Sequence, residues 1–155
     1  MAILPITVYG DKILRQTVKT VKSVDDEMID NIQSMFSTMR NANGIGLAGN
    51  QVGLDKKIFI IDVSPVEDYE HIKPIVMINP MIVQESDDLI IMEEGCLSLP
   101  DLRAEIERPE SIIVKYLSPA EQEEELEATG LFARVILHEY DHLFGKMIPD
   151  RVSEK

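Results

Sequence analysis

Leu131-Phe132-Ala133-Arg134-Val135-Ile136-Leu137-His138-Glu139-Tyr140-Asp141-His142 is the stretch that decides how this chain folds. The run is apolar on most sides until His138, so it reads as a helix passing through a core rather than lying over one. The predicted helix covers 130–144, and Gly145 is placed to end it. Its last turns spell His-Glu-x-x-His. Helical residues four apart lie about 5–6 Å from each other on one face, so His138 and His142 can reach one metal ion. Glu139 is turned about 100° from His138, on the side of His142. It can stand beside a metal without ligating it, where a general base for an activated water belongs.

Upstream, the pattern changes twice. Met28, Ile29, Ile32, Met35, Phe36 and Met39 form one stripe at helical spacing, which predicts a helix over 25–42. Ser23 with Asp26 offers its N-terminal cap, and Asn43-Gly44 its end. A Gly-rich loop follows, Gly44-Ile45-Gly46-Leu47-Ala48-Gly49-Asn50-Gln51. Short β-rich runs then occupy 57–63, 75–78, 82–84, 89–92 and 111–117, with breaks at Asn79-Pro80, Pro109 and Ser118-Pro119. A helix, then strands, then one buried helix predicts an α+β fold. No repeat or linker divides the chain, so 1–155 is expected to form a single domain.

The 155 residues are 45% hydrophobic and 28% charged, which suits a globular protein with a proper core. A formal charge of −13 argues against direct binding to nucleic acid or anionic lipid, because phosphates would be repelled. The acidic runs at 121–127 and 25–27 read as solvated faces. No apolar stretch approaches the roughly 18 residues of a membrane span. The first residues lack a basic stretch, so no signal peptide is expected. Cys96 is the only cysteine, which excludes an intramolecular disulfide and fits a reducing, cytoplasmic home.

Glu94-Gly95-Cys96-Leu97-Ser98-Leu99-Pro100 follows a predicted strand, so Cys96 sits at a strand end or tight loop. Three protein ligands with one open position make a catalytic rather than a structural metal centre. The remaining histidine, His71, lies in a polar acidic stretch. The glycine loop is no phosphate loop, since no Gly-Lys-Ser/Thr follows. Its glycines let backbone approach a ligand, and Gln51 offers an amide to a developing oxyanion.

Gly44 to Gln51, Glu94 to Ser98 and His138 to His142, in this order, resemble the G-x-G-L-A-x-x-Q, E-G-C-L-S and H-E-x-D-H segments of peptide deformylase. The likeness runs from a first strand near Ile3 to about Arg151. It implies mainly antiparallel sheets around a central metal-bearing helix, and removal of formyl from the N-formylmethionine of new polypeptides. It further implies that Cys96, His138 and His142 hold one divalent metal, usually Fe²⁺, with Zn²⁺, Ni²⁺ or Co²⁺ able to replace it. Glu139 then matches the catalytic glutamate, and Gln51 and the Leu97 N–H match the oxyanion donors. Ile45 and Gly46 would pair with substrate backbone as an added strand, with Gly95 also in the substrate site. Leu131 and Val135 would line the methionine pocket. A monomer is expected.

Gly49 stands where the family commonly has alanine, and Leu137 where glutamine often precedes the His-Glu pair. The chain stops soon after Arg151, whereas many members continue into a C-terminal helix, which puts ribosome docking in question. The rival readings are a His-Glu-x-x-His metallopeptidase, against which a cysteine ligand argues, and a catalytically dead metal- or peptide-binding relative, against which Glu139 argues.

Two further expectations concern charges on the last helix. Asp141 projects about 60° from His138, away from Glu139, so it is expected to pair with Arg108, or next with Arg103, instead of the metal. Arg134 lies one turn before His138. Its alkyl stem is expected to wall the methionine pocket while the guanidinium reaches the mouth, beside the residues that follow methionine.

Overall fold

The computed structural model describes residues 2–152. Two helices flank a five-stranded sheet, and the second helix is enclosed on its other side by a separate hairpin. The first helix, α1 (Asp26–Asn41), is capped by Asp25, whose carboxylate accepts from Met28 N–H at 2.8 Å. The cap is therefore Asp25 and not Ser23, since its oxygen is the one placed to take the free N–H. α1 stops at Asn43, which adopts φ 58° and lets Gly44 N–H return to the Met39 carbonyl.

The larger sheet runs in the order β1 (Gly46–Ala48), β2 (Ile58–Ile61), β3 (Ile75–Glu85), β6 (Ser111–Leu117), β7 (Glu123–Thr129), antiparallel throughout. The separate hairpin is β4 (Leu89–Cys96) with β5 (Leu99–Pro109). Every residue of β2 is buried, because the sheet is covered on both faces there. With side chains alternating along a strand, Ile58 packs with Met28 and Ile32 of α1, while Phe59 and Ile61 pack with Phe132, Ala133 and Ile136 of the second helix. That helix, α2 (Gly130–Leu143), exposes none of the run from Phe132 to Glu139, so it runs through the core as its composition requires. Gly145 ends it at φ 75°, where a Cβ would stand 2.6 Å from the Arg15 carbonyl group.

Two strand expectations are corrected, and two strands are added. No strand forms near Ile3; that segment is extended and held by separate bonds, Leu4 N–H to Thr38 Oγ1 and Thr7 N–H to the Gln51 carbonyl. The runs at 75–78 and 82–84 are one strand. Asn79 takes φ 49° in a bulge, and its amide exchanges 2.8 Å bonds with Val21 N–H and C=O, replacing the interrupted ladder. β5 went unread because its inward alternation includes a charge, Arg108, beside Ala104 and Ile106. β7 went unread because four of its seven residues are glutamates. It is an edge strand, where charge discourages pairing with other chains. No helix among the described residues is long and apolar enough to cross a membrane.

Candidate metal centre

α2 and the end of β4 bring three candidate ligands to one point. One ligand atom each from Cys96, His138 and His142 lies within 4.8 Å of the others. Cys96 Sγ is 3.3 Å from His142 Nε2. Sulfur and nitrogen sharing a tetrahedral cation at 2.3 and 2.0–2.1 Å stand about 3.6 Å apart, so the spacing fits a shared ion. His138 turns its Nδ1 to Glu94 Oε1 at 2.9 Å, which leaves Nε2 to face the same point. The donor set, one thiolate and two imidazoles, suits iron, zinc, cobalt or nickel rather than magnesium or calcium.

Electrostatics point the same way. Burial opposes a proton on His138, but the charge of Glu139, then Cys96 and Glu94, outweigh it and push the imidazole up to about 10. Neighbours that favour positive charge there favour a bound cation for the same reason. Burial and the charge of His138 push His142 down to about 3, so its ring is neutral, as a ligand must be. Glu139 is buried and pushed up to about 7, first by burial and against the pull of His138. Its Oε2 is 4.0 Å from His138 Nε2, and its Oε1 has no partner among the described residues.

Glu94 is the residue that the sequence reading quoted without giving it a role. It is 5% exposed and accepts from Arg108 Nε at 2.6 Å, Arg108 Nη2 at 3.0 Å, Arg134 Nη1 at 2.7 Å and His138 Nδ1. Burial pushes its carboxyl up, yet the hydrogen bonds from His138, Arg108 and Arg134 hold it well below the usual carboxylate range. A carboxylate behind a ligating histidine fixes the ring and its tautomer. Arg108 continues the network to Asp141 Oδ2 at 2.8 Å, and Arg151, also unforeseen, closes it with bonds of 2.7 and 3.0 Å to the same carboxylate. Arg103 instead pairs with Glu93. Asp141→Asn and Arg108→Ala should therefore be non-additive, with a coupling of about 0.5–3 kcal/mol in a urea-unfolding cycle. Additive losses would mean that the contact carries no coupling.

Arg134 requires a correction. Its guanidinium does not reach the mouth of the cleft. It is buried, and donates to Glu94, to the Ile106 carbonyl at 2.7 Å and to the Ile90 carbonyl at 2.7 Å. A buried cation must be fully paired, and the β4–β5 hairpin supplies those partners more closely than solvent does. No charge preference in the peptide is expected from it.

The centre lies at the bottom of an open cleft of about 630 Å³. Ile45, Gly46, Gln51, Gly95, Cys96, Leu97, Leu131, Arg134, Val135, His138 and Glu139 all line it, whereas His142, Asp141 and Arg108 do not. At Gly46 a Cβ would sit 2.7 Å from Glu139 Oε2, so only glycine lets β1 backbone lie so close to the acid. Gln51 is held by its Oε1, which accepts from Ala48 N–H at 2.8 Å. Its Nε2 consequently faces the centre, 3.1 Å from Ser98 Oγ and 3.5 Å from Cys96 Sγ. Ser98, fully buried, is a further residue that the sequence reading did not single out.

An enclosed helix bearing two imidazoles and an acid, with a cysteine sulfur beside it, defines the class of metal-dependent hydrolases. The model of the polypeptide deformylase family matches residues 3–155. Peptide deformylase of Prosthecochloris aestuarii is 44% identical over 153 residues, covering 99% of this chain and 82% of that protein. That of Pelodictyon phaeoclathratiforme is 46% identical over 155 residues, with 99% and 81% covered. The crystal structure of peptide deformylase from Thermotoga maritima superposes with a TM-score of 0.92 at 38% identity, covering 99% of each chain. This chain belongs to the polypeptide deformylase family, metal-dependent enzymes that remove the formyl group from N-formylmethionine at the start of newly made polypeptides.

Proposed function

We propose that Cys96 Sγ, His138 Nε2 and His142 Nε2 hold one divalent cation, Fe²⁺ natively with Zn²⁺, Ni²⁺ or Co²⁺ as substitutes, and that Glu139 performs the proton transfers of deformylation. The observation that carries this is the convergence of the three donors within 4.8 Å beside a buried carboxylate oxygen that no described residue pairs. When bound, the cation supplies Lewis acidity, which lets a water lose its proton near neutral pH. Glu139 takes that proton on its carboxylate, then returns it to the peptide nitrogen as the formyl C–N bond breaks. The products are formate and a free methionyl amine, so one water is consumed and no redox step is needed.

Gln51 Nε2, aimed by its bond to Ala48, and the Leu97 N–H donate to the formyl oxygen as it gains charge. β1 is an edge strand, paired on one side only by β2, and its other edge can take the peptide as an added strand along Ile45 and Gly46. Leu131 and Val135 border the cleft where the methionine side chain would lie. Cys96→Ser tests the ligand set, because a neutral hydroxyl is a poor ligand for these metals. The variant should lose its metal on dialysis, measured by elemental mass spectrometry, together with formate release. Unchanged metal content would remove Cys96 from the ligands.

A further inference from the structure

His142 and the residue seated against it carry a complementary pair of unmet hydrogen-bonding needs. His142 is 1% exposed, and no described residue bonds to its Nδ1. With Nε2 given to the cation, as the ligand reading above requires, Nδ1 must carry the ring proton and needs an acceptor. Asn50 is 0% exposed. Its Nδ2 donates to the His142 carbonyl at 2.6 Å and reaches the Ile13 carbonyl at 3.4 Å, while its Oδ1 accepts from no described residue. The orientation of this amide is fixed by chemistry: turned over, it would set two acceptors 2.6 Å apart.

Besides these two atoms, Glu139 Oε1 is the remaining buried side-chain polar atom without a partner among the described residues. Glu139 belongs to the cleft wall, with its Oε2 near Gly46 and His138. Of the three atoms, Asn50 Oδ1 is the acceptor on a residue that already touches His142, through its carbonyl. Leaving a buried donor and a buried acceptor unmet costs the desolvation of both, and one water between them satisfies both at once.

We propose that Asn50 is a positioning residue for His142, taking the Nδ1 proton of that ring through one buried water that donates in turn to Asn50 Oδ1. The two imidazoles of the centre are then held differently: His138 by the charged Glu94, His142 by a neutral amide through water. The second hold fixes the Nδ1–H tautomer and keeps the Nε2 lone pair toward the shared cation, without adding negative charge behind the metal.

The test uses the whole chain loaded with Zn²⁺ and labelled with ¹⁵N in histidine. In the wild type, long-range proton–nitrogen spectra should show His142 with its proton on Nδ1, exchanging slowly, and with a cross-peak to a long-lived water. Asn50→Leu, which removes both amide groups, should lose the slow proton and surrender Zn²⁺ to a chelator about 10–100-fold faster, the usual effect of losing such an outer partner. A wild-type Nδ1 proton that exchanges freely, or that shows no bound water, overturns the proposal whether or not the variant folds. So does a slow proton that survives in Asn50→Leu. A His142 Nε2 shift that does not respond to Zn²⁺ would instead overturn the ligand reading, so the two failures are distinguishable.

Discussion

Glu139→Gln should lower formate release by about 10²–10⁴-fold, the range typical for loss of a general acid/base. Metal content and melting temperature should stay close to wild type. Glutamine has nearly the same volume, so the packing against Gly46 and Val135 is retained, but its amide cannot accept a proton from water. The buried setting sharpens the expectation. Neither buried acid beside His138 and His142 is free to substitute: Glu94 is engaged by Arg108, Arg134 and His138, and Asp141 by Arg108 and Arg151. Activity within a few-fold of wild type would place the base elsewhere.

Glu94→Ala should be more damaging to the protein than to any single step. It takes the carboxylate from Arg134 and leaves Arg108 only Asp141, which Arg151 shares; both guanidiniums are about 5% exposed or less. Breaking a buried pair by deleting one partner costs about 3–5 kcal/mol, because the remaining charge is left unpaired. It also frees His138 Nδ1, which should weaken metal affinity by about 10–100-fold. Urea unfolding of the metal-free protein separates the first effect from the second, which is read by chelator competition on the loaded protein. Stability within 1 kcal/mol of wild type would mean that the arginines find other partners at little cost.

The elements built on local pattern could be read directly from the chain. α2 announced itself through an apolar run followed by two histidines four apart, and α1 through its stripe of methionines and isoleucines. The two candidate histidine ligands and Glu139 are legible for the same reason, since helical spacing alone brings His138, Glu139 and His142 together. What resisted reading depends on partners distant in sequence. β5 hides because Arg108 points inward, and only the fold reveals that Glu94 and Asp141 meet it there. Arg134 shows the same limit. Its place on the metal-facing turn was evident, but the carbonyls of Ile90 and Ile106 that capture its head lie on strands 28 to 44 residues away in the chain. Asn50 lies inside a quoted motif, yet its contact with His142 spans 92 residues.

Formate release from N-formyl-Met-Ala-Ser, compared with methionine release from the unformylated peptide, tests the central claim most directly. The assay belongs under anaerobic conditions with Fe²⁺ loaded and its content measured, because thiolate-held ferrous iron is lost on oxidation. The account predicts stoichiometric formate from the formylated peptide, no free methionine from either, and loss of formate production in Cys96→Ser and Glu139→Gln. Methionine release from the unformylated peptide, with no formate from the formylated one, would contradict it.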